Sequence, residues 1–382
     1  MKTKQFYLDH NSTSPLSKKV KHFLKGGEVD FFNPNSLHPL GQSSHAVVYE
    51  VTQFLHDYFR IPSDEFFLIY HSGVTEGLNL LAHHFAEDKL GEMKCFISDH
   101  PCAYEQAQRF KSSQFELIST NSDFEFESCK FSENPTLLNW TVVNNLSGHV
   151  FDYQTLKKFK NRFIQDNNSV FVHIDAAQLI GKTELKKEVF DLLNIASFIS
   201  FSGHKFGALK GVGFSFIHNT WKKKMNPFLY GGEQNYKIRA STMNTLGIYS
   251  LKLALEEQRE KADMLVKVEE LRNEMKNLLE QDKQWILPFS NFKTESVNTL
   301  SFCHHSLASD RLLPAFYAHG LYVSPGSACT SGAAKPNFYL EELGHKHLAK
   351  NLIRVSLGAE NLENKAEILG AFTQVLENIR KM

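Results

Sequence analysis

The sequence predicts an α/β protein: a large domain built on a mainly parallel, doubly wound sheet, followed by a smaller α+β domain. Three observations carry this. Short apolar runs alternate with helix-patterned stretches from Phe66 to Phe216, the rhythm of strands lying side by side with helices on both faces. Two runs end abruptly in charged residues, Ser169-Val-Phe-Val-His-Ile-Asp175 and Phe198-Ile-Ser-Phe-Ser-Gly-His-Lys205, and strand ends are where open α/β sheets gather their ligands. With 382 residues, 42% hydrophobic and 22% charged, the chain is long enough for two cores. The expected division is 12–250 for the large domain and 251–382 for the small one, with residues 1–11 packed on the latter.

The elements follow in order. Val48, Val51, Leu55 and Tyr58 mark one face of a helix, after a turn-rich stretch from Asp30 to His38. Phe66 to Tyr70 is a compact strand, and His71-Ser-Gly-Val-Thr-Glu-Gly77 leads into a helix with Leu78, Leu81, Ala82 and Phe85 on one side. Strand, small-residue turn and helix can hold a phosphate on free amides, although small residues also begin many ordinary helices. Further strands are expected at Cys95–Ser98, Thr141–Asn145 and Ser296–Phe302. From Leu251 to Glu280 the pattern is helical, with Met264, Val268, Leu271, Met275 and Leu278 forming a seam too short for a free coiled coil. The last helix carries Ile368, Phe372, Val375 and Ile379.

Forty-two basic and forty-two acidic side chains cancel, which argues against a nucleic-acid binder relying on a general positive field. The N-terminus lacks an apolar core of signal-peptide length and no run approaches a membrane span, so a cytoplasmic location is the default. Five cysteines (Cys95, Cys102, Cys129, Cys303 and Cys329) without paired spacing fit reduced thiols. Cys303-His304-His305 has no second ligand pair at zinc-site spacing, and no metal is expected.

The chemistry converges on Lys205. Alone, a lysine in a glycine-rich turn reads as a solvated surface residue. At the end of a buried strand its ammonium needs a partner, and amines placed so become nucleophiles or proton carriers. Asp175 ends a second strand in the same way. A ligand cationic at one end and an aldehyde at the other satisfies both, and pyridoxal phosphate is that ligand: its ring nitrogen takes the acid and its aldehyde the amine.

The pattern His-Ile-Asp175-Ala-Ala-Gln178 followed by Ser202-Gly-His204-Lys205 resembles the cofactor site of the class V aminotransferase family, in particular cysteine desulfurases of the NifS/IscS type. The resemblance runs in order from Tyr7-Leu-Asp-His-Asn to Ile353-Arg-Val-Ser-Leu-Gly358. It implies a fold type I enzyme in which Gly73, Val74, Thr75, Ser202 and His204 surround the cofactor phosphate. By the same resemblance His100 stacks on the ring and relays protons, Asn145 and Gln178 lie at the phenolic oxygen, and Asn33 and Arg354 hold the substrate carboxylate. Val323-Ser-Pro-Gly-Ser-Ala-Cys329-Thr-Ser-Gly332 matches the loop that carries the sulfur-accepting cysteine. Tyr230 to Thr242 parallels a loop whose threonine reaches the neighbouring subunit's phosphate, which implies a homodimer with composite sites. Leu146, Glu233 and Pro325 depart from the family pattern.

The implied activity is conversion of L-cysteine to L-alanine, with sulfur passing to Cys329 as a persulfide for an acceptor protein in iron-sulfur cluster or thiolation pathways. Another class V enzyme such as a selenocysteine lyase is the neighbouring alternative. A catalytically silent fold type I partner is the alternative of a different kind, and the joint presence of Asp175, Lys205, Cys329 and Arg354 speaks against it.

Overall fold

The computed structural model describes residues 4–27, 31–119, 129–165, 167, 169–290, 295–326 and 338–381. The chain opens with β1 (Phe6–Tyr7), α1 (Lys18–Gly26) and α2 (Pro39–Phe59). The large sheet follows with its crossovers: β2 (Phe66–His71), α3 (Val74–Glu87), β3 (Glu92–Phe96), α4 (Pro101–Tyr104), β4 (Phe115–Ile118) and β5 (Thr136–Thr141). It continues through α5 (Tyr153–Phe159), β6 (Val170–Asp175), α6 (Lys187–Asn194), β7 (Phe198–Ser202) and β8 (Gly213–His218). Two helices, α7 (Thr245–Glu260) and α8 (Leu265–Glu280), lead to β9 (Trp285–Ile286), β10 (Thr299–His304), α9 (Ser309–Ala318), β11 (Leu321–Tyr322) and β12 (Ser324–Pro325). The chain closes with α10 (Phe338–Glu342), β13 (Leu352–Ser356) and α11 (Lys365–Arg380).

The seven-stranded sheet has the order β2-β8-β7-β6-β5-β3-β4, and β8 alone runs antiparallel to its neighbours. Its inner strands are apolar runs because both faces are covered. Alternation divides β2: Phe66, Leu68 and Tyr70 join the core under α2 with Val48, Val51, Leu55 and Tyr58. Phe67 and Ile69 join the opposite core, with Leu78, Leu81, Ala82 and Phe85 of α3. A separate core collects Val268, Leu271 and Met275 of α8 with Ile368, Phe372, Val375 and Ile379 of α11, around the sheet β12-β13-β10-β9. Phe6 and Leu8 belong to that core, and β1 pairs with β11.

Four sequence expectations shift. The strand expected at Cys95–Ser98 is β3, which starts at Glu92 and stops at Phe96, where Asp99 Oδ2 accepts from Phe96 N (3.0 Å) and turns the chain. The 251–280 helix breaks at Lys261–Met264, and Met264 is exposed. Lys261 Nζ bridges Glu257 (2.6 Å) and Glu360 (2.7 Å), tying the end of α7 to the turn after β13. The strand expected at Thr141–Asn145 ends at Thr141, because the Asn144 side chain takes Leu146 N and Ser147 N and turns the chain. β10 starts three residues later than expected, at Thr299. His304 is buried and its Nδ1 accepts from Ser306 N (3.2 Å) and Leu307 N (3.0 Å), a loop-capping role. Among the described residues no helix is long and apolar enough to cross a membrane.

Candidate active site

β2, β3, β5, β6 and β7 run the same way, so the residues that follow them gather at one edge of the sheet. Lys205 ends a single turn, Gly203–Lys205, after β7. Its Nζ donates to Asn11 O (2.7 Å) and Ser12 O (2.9 Å), so the partner its ammonium requires is the backbone of the N-terminal segment. Its carbonyl accepts from Lys182 Nζ (2.8 Å) and Ser14 Oγ (2.7 Å). Asp175, the last residue of β6, lies opposite Ser200 of β7 and accepts from Ala177 N at 2.9 Å. Burial pushes its carboxyl up to about 6, against the pull of that hydrogen bond and of Lys205.

This carries a prediction for the apoprotein. Folding raises the Asp175 pKa above the ordinary 3.8, so its contribution is favourable at low pH and is lost as pH rises through about 6. The ionised form is disfavoured by on the order of 3 kcal/mol. Asp175→Asn apoprotein should therefore gain stability relative to wild type between about pH 4 and pH 7, by roughly that amount. Urea unfolding of both proteins across the range checks this, and a pH-independent difference would contradict it.

At the start of α3 the predicted phosphate residues come together. Val74 N donates to Ser202 Oγ (2.8 Å) and Gly73 N to His71 Nδ1 (3.2 Å). A Cβ on Gly73 would lie 3.1 Å from Ser202 Oγ, so the glycine lets the turn and the serine meet. Two of the four end amides are thus committed internally, and those of Thr75 and Glu76 have no partner among the described residues. Thr75 is exposed and shares a pocket with His100, Cys102 and Arg109. His204 Nδ1 lies 3.2 Å from Thr13 Oγ1.

His100 caps α4, with Nδ1 accepting from Cys102 N at 3.2 Å. Burial, with Lys205 and Arg354 nearby, pulls its pKa down to about 4, so the ring is neutral at neutral pH and carries its proton on Nε2. Of the paired asparagines, Asn144 builds the loop, while Asn145 contributes its carbonyl to Arg354 and Asn11. Gln178 Nε2 donates to Asn11 O (2.8 Å), and its buried Oε1 has no partner among the described residues. Arg354 is buried: Nη2 reaches Asp9 Oδ1 (2.6 Å) and Ser12 Oγ (2.9 Å), Nη1 reaches Asn145 O (3.1 Å), and Nε has no partner among the described residues.

Asp9, Asn11, Ser12 and Lys182 are site residues that sequence reasoning missed. The first three lie in or beside the Tyr7-Leu-Asp-His-Asn landmark, and the six polar or charged residues in a row from Asp9 to Ser14 were the available signal. Asn11 is the hub: besides Lys205 and Gln178 it binds Thr299 Oγ1 (2.9 Å), Asn298 Nδ2 (3.1 Å) and Ser356 Oγ (2.9 Å). Other predicted residues stand apart from this cluster. Asn33 is exposed and accepts from Asn35 N (3.0 Å) as a turn-former, and Thr242 is exposed.

Cys329 lies outside the described residues. The described chain stops at Gly326, just after β12, where Ser324 is opposite Arg354 and Pro325 opposite Ile353. β12 is an edge strand, which tolerates that proline. Leu146, which departs from the family pattern, packs with Phe289, Cys303, Tyr339 and Leu352 in an apolar seat. Glu233 is exposed and pairs with Lys237 (2.6 Å).

The chain is similar to known proteins along nearly its whole length. The chain is 27% identical to the cysteine desulfurase IscS of Methanosarcina thermophila, over 99% of this chain and 94% of that protein. It is 25% identical to the cysteine desulfurase IscS of Ehrlichia chaffeensis, over 98% and 91%. The structure of a NifS-like protein from Rickettsia africae superposes with a TM-score of 0.81 at 21% identity, covering 98% of this chain and 99% of that one. The apo cysteine desulfurase of Thermococcus onnurineus gives 0.80 at 19% identity, covering 98% and 95%, so the fold is shared. The aminotransferase class V sequence model matches residues 6–369, and with nearly the whole chain accounted for in this way, the chain belongs to the aminotransferase class V family.

Proposed function

We propose that this protein is a pyridoxal-phosphate-dependent cysteine desulfurase. The observation that carries the reading is the placement of a buried carboxylate, Asp175, and an amine, Lys205, at the ends of adjacent strands. The residues fit the cofactor: Asp175 would hold its ring nitrogen, Lys205 its aldehyde carbon, and Gln178 and Asn145 would lie at its ring oxygen. Ser202, His204, Thr75 and the α3 amides would hold its phosphate, with His100 on the ring face. When bound, pyridoxal phosphate supplies an electron-accepting ring next to the substrate Cα.

Lys205 moves the Cα proton, and His100, neutral with its proton on Nε2, relays protons. Arg354 holds the substrate carboxylate, using the unspent Nε and displacing Asp9 or Ser12 from the fork. The Cys329 thiolate attacks the substrate sulfur: the S–S bond forms, the Cβ–S bond breaks, and protonation of the remaining three-carbon unit yields alanine. The Cys329 persulfide then serves an acceptor protein in iron-sulfur cluster or thiolation chemistry. Support comes from the full-length relatives named cysteine desulfurase and from the other four cysteines, all buried with thiols pushed up by burial.

The reading includes a homodimer in which Thr242 of each chain completes the other's site. The loop before Thr242 is pinned by Arg239 to Glu76 at 2.7 Å and leaves Tyr230 84% exposed. Purified protein supplied with pyridoxal phosphate should form alanine and persulfide sulfur from cysteine in equal amounts. A protein that takes up no pyridoxal phosphate and forms no alanine would be the silent partner instead, and strong preference for selenocysteine would make it a selenocysteine lyase.

A further inference from the structure

Across five strands of the seven-stranded sheet runs a line of polar side chains, one per strand, where buried sheets ordinarily place apolar ones. Gly73 N donates to His71 Nδ1 (3.2 Å), and His71 Nε2 lies 2.7 Å from Ser215 Oγ. Ser215 Oγ lies 2.7 Å from Ser200 Oγ, which lies 2.8 Å from His173 Nε2. His173 Nδ1 lies 2.7 Å from Asn139 Oδ1, and Asn139 Nδ2 donates to Asp99 Oδ2 at 2.8 Å. These residues belong to β2, β8, β7, β6 and β5 in spatial order, with Asp99 in the turn after β3. All are buried, Asn139, His173 and Ser200 at 0% exposure.

One proton arrangement uses every link. A backbone N–H only donates, so His71 Nδ1 accepts and its proton sits on Nε2, directed to Ser215. An amide oxygen only accepts, so His173 carries its proton on Nδ1 and takes the Ser200 hydroxyl at Nε2. The Ser200 oxygen is then open to the Ser215 hydroxyl, and every bond points toward Asp99. Burial keeps both rings neutral, pulling His71 down to about 4 and His173 to about 3. Bonds aligned head to tail in a low-dielectric interior strengthen one another.

Helix α3 rests on this line through Gly77. A Cβ there would come within 2.9 Å of His71 Nε2, 3.0 Å of Ser215 Oγ and 3.1 Å of Ser200 Oγ. We propose that His71, Asn139, His173, Ser200 and Ser215 are positioning residues for the cofactor phosphate. Their bonds set the height of α3 above the sheet and the orientation of the turn that presents its amide end, and they tie that end to the turn carrying His100. The proposal rests on the reading that pyridoxal phosphate is the cofactor.

The test titrates apoprotein with pyridoxal phosphate and with pyridoxal, which differ only in the phosphate. Ser200→Ala removes the central hydroxyl, whereas Gly77→Ala keeps every hydroxyl and lifts the helix. Both variants are expected to bind pyridoxal phosphate about tenfold more weakly and pyridoxal as wild type does. Equal weakening of both ligands, or an unchanged preference for the phosphorylated one, overturns the proposal and leaves the cofactor reading standing. Wild type that binds neither ligand defeats both. Nitrogen-15 NMR of histidine-labelled wild-type apoprotein needs no variant: His71 should be protonated at Nε2 and His173 at Nδ1. The opposite tautomer at either ring, or a charged ring at neutral pH, overturns the proposal directly.

Discussion

Lys205→Ala should abolish the borohydride-reducible attachment of pyridoxal phosphate and lower alanine formation by at least about 10²- to 10⁴-fold, the range for loss of a positioned proton-transfer group. The structure sharpens the choice of control. Lys210 is exposed, whereas Lys182 is buried, donates to the Lys205 carbonyl and has its pKa pulled down to about 7 by burial and by Lys205 and Arg354. Lys182 is therefore the amine to examine by peptide mapping if a reducible attachment survives in the variant, and such survival would remove Lys205 from its assigned role. The substitution also leaves the Ser12 carbonyl without this donor and the Asn11 carbonyl with Gln178 Nε2 alone, so some stability should be lost, about 1–3 kcal/mol for hydrogen bonds from a charged donor.

Cys329→Ser should keep wild-type cofactor content and cysteine binding, yet form alanine only at the level of an enzyme-free control. In the proposed mechanism proton movement at Cα belongs to Lys205, so the early steps do not need the thiol. Sulfur removal does, because a serine hydroxyl is far more basic than a thiol and a poor nucleophile toward sulfur. Mass spectrometry of the wild-type protein after cysteine addition should find the extra sulfur on the Cys329 peptide. Cys102, beside His100, is a poor substitute: burial raises its thiol pKa well above the ordinary value. Alanine release by Cys329→Ser at the wild-type rate would mean that the loop cysteine is not the acceptor.

The legible part of this molecule was local. A continuous apolar run located β2, and period-3.6 patterns located α3 and α11 and the faces they bury, because which side of a helix meets the core is written in its own residues. Strand ends were less legible, since β5 stops where Asn144 turns the chain rather than where apolar residues stop. The two charges at strand ends, Asp175 and Lys205, could be named because a charge closing an apolar run is a local anomaly.

What surrounds those charges was decided by tertiary structure. Lys205 meets Asn11 across 194 residues, and Arg354 meets Asp9 across 345. Periodicity reports that a face is buried, but it does not say which distant segment lies on it. Leu146 looks anomalous beside its motif until the small domain supplies Phe289, Tyr339 and Leu352 around it. The line from His71 to Asp99 exists because β8 inserts between β2 and β7, bringing Ser215 to His71 across 144 residues of chain. The sequence by itself determined the elements, their buried faces and the two charges that mark the site. Strand order and register alone decided which polar groups satisfy one another, because a hydrogen bond depends on positions in space that no local pattern encodes.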